Sequence, residues 1–119
     1  MKLPGPDHPI SIAPSVQHVR IRAGNVVIAD TKRALTLKEA NYPSVFYIPR
    51  EDARLDLVTK TARTTHCPYK GDASYFSINA GDTVLDNAIW SYETPFPAMA
   101  EIKDYLAFYP DKVTIDTVG

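Results

Sequence analysis

Apolar and polar residues alternate over short runs in this chain, and the runs are cut by turn residues every few positions. In Val19-Arg20-Ile21-Arg22-Ala23 the apolar side chains fall on one face and His18, Arg20 and Arg22 on the other, as in a half-buried strand. Gly24-Asn25 follows, then Val26-Val27-Ile28-Ala29. A two-residue Gly-Asn connection between β-rich runs predicts a hairpin whose first turn residue takes a positive φ. Ala34 to Glu39 alternates again, Asn41-Tyr42-Pro43 turns, and Val45 to Ile48 is strand-like, which predicts a second hairpin stopped by Pro49. Arg50-Glu51-Asp52-Ala53 reads as one turn of helix. Leu55 to Thr65 reads either as strand or as a short helix leading into strand. Ala73–Ile78 and Thr83–Glu93 read as strands around the turn cluster Asn79-Ala80-Gly81-Asp82.

Near the end, Pro97 fits the first position of a helix over Ala98–Asp104, with Met99, Ile102 and Leu106 on one face. Leu106–Tyr109 and Lys112–Asp116 are expected to form a hairpin through Pro110-Asp111. Strands are thus predicted over Val19–Ala29, Leu35–Glu39, Ser44–Ile48, Ser74–Ile78, Ile89–Tyr92, Leu106–Tyr109 and Lys112–Asp116. The fold class is a compact, mainly-β single domain of short antiparallel strands and hairpins with one short helix in the C-terminal third. Residues 1–15 read as an extended arm, because Pro4, Pro6, Pro9 and Pro14 preclude helix while Ile10 and Ile12 alternate; residues 16–119 form the domain.

Composition narrows the function classes. With 119 residues, 45% hydrophobic and 23% charged, the chain can bury one core. A single cysteine excludes an internal disulfide framework and a multi-thiolate metal site, and the three histidines show no ligand spacing, so no metal site and no cofactor is indicated. Thirteen Lys+Arg against fourteen Asp+Glu argue against nucleic acid as a partner, which would need Arg20, Arg22, Lys32, Arg33 and Arg63 on one continuous face. No apolar run approaches the ~20 residues of a membrane span, and Met1–Pro14 has no apolar stretch like a signal peptide. The expectation is a cytoplasmic protein with no membrane partner; nothing in the pattern argues for a homo-oligomer.

The candidate chemistry lies in turns and strand ends. In Cys67-Pro68-Tyr69-Lys70-Gly71 a turn should bring Lys70 back toward the sulfur, where an ammonium favours thiolate. The plainer alternative is a small side chain buried under a turn with Lys70 in water. His66 points to the opposite face from Cys67 and is a poor base for it. Tyr47, Arg50 and Asp52 cluster where a strand ends, and Arg50 can clamp an anion or pair internally with Asp52 or Glu39. Glu39 ends the preceding strand and, walled by aromatics, can act as an acid or base. Trp90 and Tyr92 share a strand face, as floor of a ligand pocket or as core.

Several segments taken together, Tyr47-Ile48-Pro49-Arg50-Glu51-Asp52, Thr65-His66-Cys67-Pro68-Tyr69-Lys70-Gly71-Asp72-Ala73, Trp90-Ser91-Tyr92 and Tyr105 to Val113, resemble the bacterial family filed as domain of unknown function 427. That family is sometimes labelled a nucleotidyltransferase-type domain. The resemblance runs from about His8 to Asp116 and implies a compact mainly-β fold with no established activity. The glycine-rich phosphate loops of nucleotide-binding folds are absent from these residues.

Two readings stay open. In one, the chain binds a small polar or anionic ligand, as a binding domain or as an enzyme, with Cys67, Glu39 and Asp52 as catalytic candidates. Tyr47, Arg50, Lys70, Trp90 and Tyr92 are then the ligand-binding candidates. In the other, it is a non-catalytic structural or interaction module whose motif residues stabilise turns. Side chains converging on one concave surface favour the first; scatter favours the second.

Overall fold

A computed structural model describes residues 1–119. Ten strands form three antiparallel sheets. The first sheet has the order β1 (Ile10–Pro14), β4 (Leu35–Glu39), β5 (Val45–Tyr47). The second has the order β10 (Thr114–Val118), β2 (His18–Ala23), β3 (Val26–Thr31). The third runs β6 (Val58–Cys67), β7 (Gly71–Ala80), β8 (Thr83–Ser91), β9 (Ala107–Phe108). The fold is mainly β, as the alternation predicts. No helix is long and apolar enough to cross a membrane.

The Gly24-Asn25 hairpin forms with Ala23 opposite Val26 and φ +59° at Gly24, which is why glycine stands there. Beyond it the register slips between Ile21 and Arg22, opposite a bulge at Ile28. The bulge explains why Ile28 and Ala29, adjacent in sequence, are both buried. The second hairpin pairs Leu35 with Tyr47 and Leu37 with Val45, and Arg50–Asp52 is one 3-10 turn as expected. Leu55–Leu57 is another 3-10 turn feeding β6, the second of the two readings of that stretch.

The short helix expected near Ala98–Asp104 forms as a six-residue 3-10 helix, Pro97–Ile102, kinked at Met99. Its i→i+3 bonds, Met99 N–H to Phe96 and Lys103 N–H to Ala100, still bury Met99 and Ile102 on one side. The turn cluster at 79–82 shrinks to Gly81-Asp82, because Ala80 and Thr83 already pair. The C-terminal hairpin does not form: β9 pairs with β8 and β10 with β2. Lys112 and Val113 donate their N–H groups to the Tyr109 carbonyl, and this turn sends the chain across to the other sheet.

Two cores result. The larger joins Ile21, Ile28, Phe76, Ile89 and Phe108 between the second and third sheets. The smaller lies on the other face of β5, β7 and β8 and holds Leu37, Tyr47, Tyr75, Tyr92, Met99 and Ile102. One backbone bridge, Ile48–Leu106, ties the first sheet to the third. The expected arm, residues 1–15, contributes β1, whose Ile12 lies opposite Leu37.

Candidate functional site

The smaller core is not closed. Leu37, Glu39, Tyr42, Pro43, Val45, Tyr47, Lys70, Tyr75, Trp90, Tyr92 and Tyr109 surround a cavity of about 280 Å³. Period-two geometry puts them there: Leu37 and Glu39 are two apart on β4, Val45 and Tyr47 two apart on β5, and Trp90 and Tyr92 two apart at the end of β8. The aromatic walls are tied to each other. Trp90 Nε1–H donates to the Tyr47 hydroxyl at 3.3 Å, with the rings edge to face. The indole also lies 4.5 Å from the Tyr109 ring. Tyr75 and Tyr109 stack with hydroxyls 3.2 Å apart, and Thr65 Oγ1 sits 3.0 Å from the Tyr75 hydroxyl.

One end of the cavity is charged. Lys70, 7% exposed, donates to Glu39 through its ammonium, and His8 Nε2 lies 2.7 Å from the second Glu39 oxygen. The His8 ring stacks on Tyr69, centroids 4.1 Å apart. The N-terminal segment is further pinned where Lys2 N–H donates to the Pro68 carbonyl. The Cys67–Gly71 turn does what the sequence predicts, placing Lys70 Nζ 3.8 Å from Cys67 Sγ. Gly71, at φ +111°, closes the turn where a side chain would be strained, and the Lys70 carbonyl accepts from the Phe96 N–H.

Electrostatics follow from burial and partners. Burial works to raise the Glu39 carboxyl, but the hydrogen bonds from Lys70 and then His8 outweigh it and hold the group below its usual value. Tyr47 is pushed up by burial, partly offset by the Trp90 hydrogen bond. Tyr92 is pushed up by burial with no hydrogen bond to oppose it. Its hydroxyl lines the cavity without a protein partner and stays open to the solvent that the cavity admits. Tyr75 and Tyr109 titrate as a pair. Burial opposes ionisation of both; hydrogen bonds from Thr65 and Tyr109 and the charge of Arg63, stacked 4.9 Å above the ring, bring Tyr75 down.

Glu39, Tyr47, Lys70, Trp90 and Tyr92 thus meet around one cavity, with Cys67 against Lys70 at its charged end. Arg50 and Asp52 do not join them. Arg50 donates to the Asp104 carbonyl at 2.6 Å, to Ser91 Oγ at 3.1 Å and to Glu93 at 3.1 Å, and stacks over Phe76. Its ion-pair partners are therefore neither Asp52 nor Glu39 but Glu93, at 3.1 Å, and Asp104, at 3.9 Å; the Glu93 carboxyl is lowered to about 2, by Lys60 first and then by Ser74 and Arg50. Asp52 accepts from Thr31 at 2.7 Å and from Arg33, in a separate surface cluster. Three of the basic residues named for a nucleic-acid face are also paired: Arg20 with Asp30, Arg22 with Asp116, Arg33 with Asp52. Sequence reasoning passed over His8, Tyr42 and Tyr109. Alternation could have found only Tyr109, which follows β9 two residues after Ala107, itself opposite Trp90.

A family model described as domain of unknown function (DUF427) matches residues 11–119, nearly the whole chain. No curated protein matches the chain.

Proposed function

The chain belongs to the DUF427 family, and from the geometry of its cavity we propose that it binds a small, neutral, ring-bearing molecule carrying a polar group. The observation that carries this is an aromatic chamber with the Lys70–Glu39 ion pair at one end and the Tyr92 hydroxyl, free of protein partners, in its wall. A hydroxyl there keeps both its donor and its acceptor available to a ligand, a hydrogen bond worth about 1 kcal/mol. The volume, about 280 Å³ against the roughly 300–1,000 Å³ of ordinary ligand pockets, limits the enclosed part to about one ring.

The charge of the ligand follows from the pairing. Lys70 is neutralised by Glu39, and Arg50 is engaged with Glu93, so no free cation faces the chamber to attract an anion. A neutral group that both donates and accepts, such as a carboxamide, matches the Glu39 carboxylate, the Lys70 ammonium and the Tyr92 hydroxyl together. The ring packs against the aromatic wall that Tyr75, Trp90 and Tyr109 form.

Trp90 is the single tryptophan of the chain and lines the chamber, so its fluorescence reports entry directly. Benzamide should change that emission saturably, and Tyr92→Phe should weaken binding about fivefold, the worth of one hydrogen bond near 1 kcal/mol. Linear, unsaturable quenching that is equal in wild type and Tyr92→Phe refutes the proposal. A second reading, covalent chemistry by Cys67 on the bound molecule, is favoured by one observation, the Lys70 ammonium 3.8 Å from the sulfur. That cation stabilises negative charge developing on sulfur or on its adduct. Iodoacetamide labelling of the folded protein tests it: the thiol should react and benzamide should slow it, and labelling that requires denaturant excludes it.

A further inference from the structure

A second cavity, about 380 Å³, abuts the first and shares Tyr42, Pro43, Val45 and Trp90 with it. Its chemistry is different. No charged side chain lines it; its floor is Ile21 and Phe108, both buried, and its walls include Phe46 and Ile115. The two cavities lie on opposite faces of the same strand, because Tyr47 points into the smaller core and Phe46 into the larger. They meet where the first and third sheets share a single backbone bridge, Ile48–Leu106. Beyond that bridge no backbone hydrogen bond pairs β5 with β9. The seam between them is lined by Tyr42, Pro43 and Val45 on one side and by Trp90 and Pro110 on the other. The loop bearing Tyr42 and Pro43 is held in place by Tyr42 N–H donating to the Glu39 carbonyl and by Lys38 donating to the Tyr42 carbonyl.

We propose that the ligand is amphipathic: its polar ring occupies the tyrosine-lined chamber and an uncharged alkyl or alkenyl tail passes the seam at Trp90 into the apolar cavity. This rests on the reading of the first cavity as the head site and extends it to a substrate class. A ligand ending at the ring leaves an apolar groove beside it filled with water, whereas a tail there removes apolar surface from water on both sides. A charged tail is disfavoured, since nothing in the groove can pair with it.

The test is a chain-length series, benzamide and its 4-ethyl, 4-butyl and 4-hexyl derivatives, titrated against Trp90 fluorescence. Each buried methylene should tighten binding about three- to fourfold. Phe46→Gln and, as a second variant in case the first does not fold, Ile115→Thr should flatten the dependence while leaving benzamide affinity unchanged. Benzamide that binds with no gain along the series overturns the tail assignment and leaves the head site standing. A gain that persists unchanged in both variants places the tail elsewhere and also overturns it. Elution from size exclusion that shifts with protein concentration in wild type but not in Phe46→Gln assigns the groove to a second copy of the chain and overturns it as well. Absence of any saturable response to all four compounds overturns the head site and the tail assignment together.

Discussion

Replacing Lys70 by methionine removes the cation from an enclosed ion pair at nearly constant volume. Lys70 and Glu39 are 8% and 16% exposed at their side chains, so the carboxylate left behind is mostly out of water. Breaking a buried pair from one side costs about 3–5 kcal/mol. Glu39 keeps some solvent and its contact with His8, so the cost falls below that range, to about 2–3 kcal/mol. For a domain of this size that is a fall in Tm of roughly 8–12 °C. Removing both charges should restore most of the loss: Lys70→Met/Glu39→Gln should lie closer to wild type than Lys70→Met does. The pH dependence carries a sign. In wild type, burial raises the Glu39 carboxyl and Lys70 and His8 more than reverse this, so its contribution is present above its unfolded value and disappears as pH falls through the lower folded one. In Lys70→Met burial prevails, the carboxyl rises, and the destabilisation shrinks as acid protonates it. Urea unfolding of wild type, Lys70→Met, Glu39→Gln and the double variant at neutral and mildly acidic pH decides the matter. A loss below ~0.5 kcal/mol, or a double variant as unstable as the sum of the singles, refutes the ion pair as the enclosed end of the cavity.

Glu93, lowered to about 2 by Lys60, Ser74 and Arg50 against the opposing effect of burial, should give wild type about 1–2 kcal/mol after solvent screening. That contribution is present above the usual glutamate range and lost as pH falls toward 2, so an acid-unfolding midpoint unchanged in Glu93→Gln contradicts the cluster. Gly71→Ala should cost about 1–3 kcal/mol, because φ is +111° there. An unchanged urea midpoint contradicts the strained turn that sets Lys70. Cys67, half-buried, should be alkylated in the folded protein more slowly than in denaturant, and Lys70→Met should slow it further at neutral pH; equal rates in the two folded proteins remove Lys70 from the chemistry of the sulfur.

The strands and the Cys67–Gly71 turn were legible because each is decided locally. Gly24 takes the φ its turn demands, and Pro68 and Gly71 fold Lys70 onto Cys67 three residues back. Pairings between distant segments were not. Arg50 meets Ser91, Glu93 and Asp104 across 41 to 54 residues, and His8 reaches Glu39 across 31. No periodicity encodes such contacts; they depend on which sheet stacks on which. The failed C-terminal hairpin has the same cause, since the hydrophobic pattern of Thr114–Val118 suits β2 as well as β9, and the turn at Tyr109 decides between them. Arg50, read as a candidate anion clamp, illustrates the limit most clearly, because arginine at a strand end binds a ligand or a neighbouring carboxylate with the same fork.

The most direct test of the ligand cavity is an amide- and indole-resolved NMR titration with 4-butylbenzamide. The single indole N–H resonance, Trp90 Nε1–H bonded to Tyr47, should shift saturably together with the backbone amides of Glu39, Lys70 and Tyr92. Amides around Asp52 and Arg33, in their separate cluster, should stay fixed. An unmoved indole resonance, or shifts confined to the Asp52 cluster, contradicts the cavity as the ligand site.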